Sequence, residues 1–231
     1  MVFGGLQKVS LIDYPGKICS VLFSRGCNFK CPYCHNPELV KETACFPFFE
    51  KTEVYDYLKR RKGLIEGVVL SGGEPTLHED LLHHCLTIKH LGFSVKLDTN
   101  GSKPHVLETL LNNHAVDYVA MDIKTDPFDY GKITGNGKIG DQITMSIKLI
   151  MQSHIPYEFR TTCVKPFVSP DILKQIAEVI SGADRYVLQR FHHETLLAPE
   201  FFKGQNPGFD DESMLQLKKI AALTVHQCVI V

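Results

Sequence analysis

The chain has 231 residues, 44% of them hydrophobic, and a formal net charge of −1. That is enough chain for one well-buried core, and a pI near 6.8 lacks the broad positive field of a nucleic-acid binder. No apolar run approaches the roughly 20 residues of a membrane span, and the N-terminus shows no charged stretch leading into an apolar one, so a cytoplasmic protein without membrane or nucleic-acid partners is expected.

Apolar and β-branched runs alternate with helical periodicity along the chain, the pattern of a parallel sheet wrapped by helices. Strands are predicted over residues 18–23, 67–70, 94–97, 116–121, 157–162 and 186–189, and helices over 51–62, 78–90, 104–112, 141–152, 170–181 and 210–224. The basic run Lys59-Arg60-Arg61-Lys62 falls at a predicted helix end, where cations meet the negative end of the helix dipole. Six β/α units in a chain shorter than the roughly 250 residues of a full barrel imply an incomplete, laterally open (β/α)6 TIM-like barrel, with its site at the C-terminal ends of the strands. An open doubly wound sheet would want a phosphate-binding fingerprint after the first strand; cysteines stand there instead. One domain over 1–231 is expected, with a core over about 16–192 and an extension over 193–231. The irregular stretches 126–140 and 193–209 have the length and composition of binding loops or lids.

Three of the eight cysteines form the run Cys27-Asn28-Phe29-Lys30-Cys31-Pro32-Tyr33-Cys34, a C-x3-C-x2-C spacing on one loop. Three thiolates can grip three corners of an iron–sulfur cubane, whereas closure by protein alone takes four. The open iron is then available to a substrate, as an open position is in any reactive metal site. A zinc site drawing on His35 is the rival reading, but the spacing lacks the paired C-x2-C knuckles of structural zinc. The other five, Cys19, Cys45, Cys85, Cys163 and Cys228, read as small buried hydrophobes, with Cys45 a reserve ligand.

Other chemistry-bearing segments fall at predicted strand ends. Gly72-Gly73 permits close backbone approach, and Glu74 can accept from an amine. Asp98 and Asp122 can hold a hard cation, although Asp98 is as well suited to capping a helix. Lys124 and Arg160 suit a carboxylate or hydroxyls, or serve as surface cations. His192 suits a sugar or base, though one histidine among eleven is a weak signal. Gly135-Asn136-Gly137-Lys138-Ile139-Gly140 matches a dinucleotide-binding spacing, but no strand runs into it, and a glycine-rich loop over the mouth is the better reading.

These residues resemble the radical S-adenosylmethionine superfamily, and within it the activating enzymes of glycyl-radical proteins, above all those of anaerobic ribonucleoside-triphosphate reductase. The resemblance rests on the cluster loop from Gly26 to Glu38, Gly72-Gly73-Glu74-Pro75, Asp98-Thr99-Asn100-Gly101 and Met121-Asp122-Ile123-Lys124, and runs from Gly5 to about His192. It implies a [4Fe–4S] cluster on Cys27, Cys31 and Cys34 that binds and reductively cleaves S-adenosylmethionine. The resulting 5′-deoxyadenosyl radical would take hydrogen from a glycine of a partner enzyme, anaerobic ribonucleotide reductase first. It also implies cofactor contacts from Gly72, Gly73, Glu74, Asn100, Lys124, Arg160 and His192, apolar cover from Tyr33 and Phe29, and a monovalent cation on Asp98, Thr99, Met121 and Asp122. A flavodoxin- or ferredoxin-type donor would supply the electron. Residues 35–70 contain one cysteine, Cys45, so the ferredoxin-like insert of some activases is missing. The alternatives are a radical enzyme acting on a small molecule of deazapurine type, and a non-catalytic zinc-binding module.

Overall fold

A computed structural model describes residues 1–40, 48–134, 139–193 and 195–231. The chain divides into two compact units: Met1–Asn28, Asn36–Thr99 and His105–Val119, and Phe29–His35, Asn100–Pro104 and Ala120–Val231.

The first unit is built on β1 (Phe3–Ser10), β2 (Cys19–Ser24), β3 (Gly67–Gly72) and β4 (Ser94–Thr99). β1 runs antiparallel to β2, and β2, β3 and β4 run parallel, with Ser24 opposite Gly72. Val68, Val69 and Leu70 of β3 are wholly buried, as expected of a parallel strand covered on both faces. Burial of each contributes about 1.5–3 kcal/mol. The short helix α1 (Pro37–Val40) follows the cysteine loop. α2 (Lys51–Arg60) starts on a capping box between Glu50 and Glu53, ends with Lys59 and Arg60 in its last turn, and buries Val54, Tyr57 and Leu58. α3 (Leu81–His90) buries Leu81, Cys85 and Ile88. α4 (Pro104–Asn112) leads to β5 (Tyr118–Asp122), whose last three residues belong to the second unit.

The second unit continues with α5 (Gly131–Thr134), α6 (Gly140–Met151), β6 (Tyr157–Cys163), α7 (Pro170–Val179), β7 (Tyr186–Arg190), α8 (Asp211–Ala221) and β8 (Cys228–Ile230). β6, β7 and β8 are parallel, and the Ile123 N–H donates to the Arg160 carbonyl at 2.8 Å. Ser169 and Asp210 cap α7 and α8, accepting from Ile172 N at 3.2 Å and Ser213 N at 2.8 Å.

Strand order follows the sequence from β1 to β8, so the α/β fold carries a mostly parallel, unclosed sheet. The six predicted strands are present, each within two residues of its expected ends, and two more extend the sheet. β1 escapes the pattern because Gly4 and Gly5 interrupt its apolar alternation, and β8 is only three residues long. No helix among the described residues is long and apolar enough to cross a membrane. Cys45 and the Gly135-Asn136-Gly137-Lys138 part of the glycine-rich loop lie outside the described residues.

Candidate functional site

In the first unit, β2 ends at Ser24 and the chain turns through Gly26 toward Cys27, held against the end of β3. Gly73 N donates to Ser24 O at 2.9 Å, Glu74 N to Gly26 O at 2.8 Å, and Gly26 N to Leu39 O at 2.8 Å. The two glycines make this approach possible. Gly72 has φ +108°, and a Cβ on it would stand 2.5 Å from Ser24 N; a Cβ on Gly73 would stand 2.0 Å from Gly26 O. What comes close to Gly72-Gly73 here is the root of the cysteine loop.

Glu74 is buried, and its Oε1 accepts from Thr76 N at 3.1 Å, Thr76 Oγ1 at 2.5 Å and Thr99 Oγ1 at 2.8 Å. Three donors on one oxygen hold this carboxyl group in a fixed orientation. Asp98 lies within β4. Its Oδ1 receives the Lys96 ammonium at 2.7 Å and its Oδ2 the Ser71 hydroxyl at 3.0 Å.

In the second unit, the remainder of the cysteine loop sits in an aromatic setting. Cys31 and Tyr33 are buried, Cys34 is half-buried, and Cys34 N donates to Cys31 O at 3.0 Å. Tyr33 packs on Phe167 with ring centroids 5.3 Å apart, Phe29 on Tyr130 at 5.9 Å, and His35 on Phe191 at 6.0 Å. The Tyr33 hydroxyl reaches the Lys124 carbonyl at 3.5 Å, and Lys124 N donates to the Tyr130 hydroxyl at 2.9 Å. Leu197 N donates to Cys34 O and Ala198 N to Pro32 O, each at 3.1 Å. The segment beyond β7 therefore pins the loop through its backbone.

Asp122 accepts from Arg160 Nε at 2.7 Å and Lys124 Nζ at 3.1 Å. Burial pushes its carboxyl up, but the two cations outweigh burial and hold it well below the usual carboxylate range. Burial pushes Lys124 down, yet Asp122, with Cys31 and Tyr33 adding to the pull, lifts it well above the ordinary lysine value. Burial raises the Tyr33 hydroxyl, and Cys31 raises it further. Asn100 accepts from Ser102 N at 2.9 Å through its side chain. Gly101, at φ +74°, leaves room for Met121, whose methyl would meet a Cβ there at 2.0 Å. His192 is exposed just after β7.

The structure thus groups Gly72, Gly73, Glu74, Asp98 and Thr99 in the first unit with the root of the cysteine loop, and Cys31, Tyr33, Cys34, Asp122, Lys124 and Arg160 in the second. Among the described residues no three His, Cys, Asp or Glu side chains stand close enough to share one metal ion. An iron–sulfur cubane does not ask for that, since each thiolate takes a separate iron. The residues suit such a cluster: soft thiolate donors, an aromatic surround, and a lysine ammonium that feels the charge of Cys31. Cys19 and Cys228 are buried thiols pushed up by burial to about 11, and Cys85 and Cys163 to about 12, so these four are inert packing groups as expected.

A family model described as the Radical SAM superfamily matches residues 21–180. The chain belongs to the radical SAM superfamily. Among its relatives is a Methanocaldococcus jannaschii protein provisionally named a glycyl-radical enzyme activating enzyme, 35% identical over 98% of this chain and 94% of its own length. The pyruvate formate-lyase-activating enzyme of Clostridium pasteurianum is 35% identical over 61% of each chain. The fold is also similar to that of Streptococcus suis SuiB bound to S-adenosylmethionine, with a TM-score of 0.68 and 15% identity over 91% of this chain and 49% of that one.

Three groups escaped the sequence reading. Lys96 is hidden because lysine is nearly always exposed. Leu197 and Ala198 act through backbone N–H groups, which leave no side-chain signature. Thr76 follows a recognisable motif, but its hydroxyl contact is visible only once the turn after Glu74 is built.

Proposed function

We propose that this radical SAM protein is an activating enzyme that installs a glycyl radical on a partner, anaerobic ribonucleoside-triphosphate reductase in the first place. The observation that carries this reading is the similarity, over almost the whole of both chains, to a relative named for activating glycyl-radical enzymes. The wording of the cluster loop, Cys27-Asn28-Phe29-Lys30-Cys31-Pro32-Tyr33-Cys34-His35-Asn36-Pro37, favours the reductase as target.

Cys27, Cys31 and Cys34 would hold a [4Fe–4S] cluster. When bound and reduced by a flavodoxin- or ferredoxin-type donor, it supplies the electron that cleaves S-adenosylmethionine and so generates the radical that removes hydrogen from the partner's glycine. The chain's own groups do the rest. Glu74, fixed by Thr76 and Thr99, accepts from the methionine amine, beside the backbone of Gly72 and Gly73. Lys124 and Arg160 keep their positive charge while paired with Asp122 and turn it to the cofactor's carboxylate or ribose, with Asn100 and His192 serving ribose or adenine. Tyr33 and Phe29, packed on Phe167 and Tyr130, keep water from the cluster loop. A monovalent cation on Asp98, Thr99, Met121 and Asp122 is one way to place charge beside the methionine carboxylate; basic side chains of the chain itself are another.

The test is anaerobic electron paramagnetic resonance of the reconstituted, reduced protein with S-adenosylmethionine and either the reductase or pyruvate formate-lyase from the same organism. A glycyl doublet on the reductase alone supports the full reading. A doublet on the lyase alone reassigns the partner, and 5′-deoxyadenosine without any doublet favours a small-molecule substrate.

A further inference from the structure

Lys96 is the least expected residue in the first unit. Its side chain is 1% exposed, and it sits two residues before Asp98 on β4, so both project from the same face of the strand. A buried ammonium is costly unless paired and hydrogen-bonded. Here it donates to Asp98 Oδ1 at 2.7 Å and lies 5.8 Å from the centre of the Tyr118 ring, a face attractive to a cation. Tyr118 is backed in turn by Tyr14, with ring centroids 5.8 Å apart. The other carboxylate oxygen takes the Ser71 hydroxyl at 3.0 Å.

Asp98 is one of the residues on which the sequence led us to expect a sodium or potassium ion. An ammonium is itself a compact monovalent cation, and it carries three donors on a stem that keeps it in place. An inorganic ion on the same carboxylate would sit within a few ångströms of Lys96 and be repelled by it in a poorly solvated place.

We propose that Lys96 is the resident monovalent cation of Asp98: its ammonium neutralises and orients the carboxylate, so that Asp98 recruits no sodium or potassium. Lys96 is a positioning residue, and its effect on cofactor binding rests on the reading that Asp98 belongs to the S-adenosylmethionine site. The ammonium replaces an exchangeable ion with a fixed one, which makes cofactor affinity independent of the salt present.

The experiment has two arms on the anaerobically reconstituted holoprotein. Crystals grown in rubidium chloride are searched for anomalous scattering at Asp98. Affinity for S-adenosylmethionine is measured by equilibrium dialysis in rubidium, potassium or N-methyl-D-glucamine chloride at equal ionic strength. The wild type is expected to show no rubidium at Asp98 and the same affinity in all three salts to within about twofold. Lys96→Ala should bind the cofactor about tenfold more weakly in N-methyl-D-glucamine and recover in potassium or rubidium, with rubidium seated at Asp98. Lys96→Arg keeps the charge and should stay indifferent to the salt; should Lys96→Ala not fold, the wild type and this variant decide.

Rubidium on Asp98 in the wild type overturns the proposal. So does a wild-type affinity that falls tenfold in the bulky organic salt, or a Lys96→Ala protein as tight as wild type in every salt. Absence of cofactor binding in every salt would refute the function proposed above, while the rubidium map would still decide the role of Lys96.

Discussion

Replacing Gly73 by alanine tests how the cysteine loop is rooted, before any cofactor enters. The new Cβ would lie 2.0 Å from Gly26 O, 2.7 Å from its carbonyl carbon and 3.2 Å from its nitrogen. All three are backbone atoms, so no side chain can swing aside. Relief requires the Ser24–Gly26 segment to move by about 1 Å or more, the distance back to ordinary van der Waals contact. That movement strains the bonds Gly73 N to Ser24 O and Glu74 N to Gly26 O, at 2.9 and 2.8 Å. Overpacking of this kind costs about 1–3 kcal/mol, and each weakened bond about 0.5–1.5 kcal/mol. A loss of about 2–6 kcal/mol lowers the melting temperature by roughly 4–24 °C in a chain of this size.

The control is Gly208→Ala, whose Cβ would meet only Asn206 Oδ1 at 3.4 Å and which should stay within about 0.5 kcal/mol of wild type. The assay is thermal unfolding of the apo proteins by circular dichroism, followed by iron and sulfide analysis after anaerobic reconstitution. Gly73→Ala should melt early and take up less iron, because the loop that presents Cys27 is displaced at its root. Melting within about 2 °C of wild type together with full iron uptake would refute the reasoning.

Asp122→Asn should destabilise the protein by about 2 kcal/mol at pH 7, since Arg160 and Lys124 lose their counter-charge. The Asp122 carboxyl is depressed in the folded state, so its stabilisation is present above its unfolded value near 4 and is lost as pH falls through the lower folded value. Urea titrations should therefore show the wild-type advantage constant from about pH 7 to 5 and shrinking below about pH 4; an advantage that grows with acid would contradict the assignment. Ala198→Pro removes the donor to Pro32 O and demands a φ near −65°, far from the observed −136°. Iron should then be lost to a chelator several-fold faster than from wild type, and an unchanged rate would show that the strap does not hold the loop. Cys19, Cys85, Cys163 and Cys228 should resist iodoacetamide at pH 8 in the folded protein and react only on unfolding, as read by mass spectrometry.

Much of this protein is legible in its sequence because the strong signals are local. Val68-Val69-Leu70 and Val119-Ala120-Met121 read as buried strands wherever they stand, and C-x3-C-x2-C announces soft ligands by spacing alone. The parts that stayed hidden depend on chain segments far apart in sequence. Gly72 and Gly73 read equally as a ligand cradle or a turn, and only the approach of Ser24–Gly26 shows what else they make room for. Asp98 read equally as a cap or a cation ligand, and Lys96, two residues away, decides its company only once both are known to lie on a strand in register. Residues 193–209 were expected to be a lid or binding loop. The Leu197 and Ala198 backbone groups reveal a strap on the cysteine loop, a contact across more than 160 residues of sequence.

The most direct measurement of the central claim is anaerobic reconstitution with iron and sulfide, reduction, and quantification of 5′-deoxyadenosine formed from S-adenosylmethionine by the wild type and by Cys31→Ala. The expected result is a brown protein that releases 5′-deoxyadenosine and methionine in equal amounts, with the variant failing to do so. A colourless wild-type protein that retains zinc, binds no iron or sulfide and leaves S-adenosylmethionine intact would contradict it.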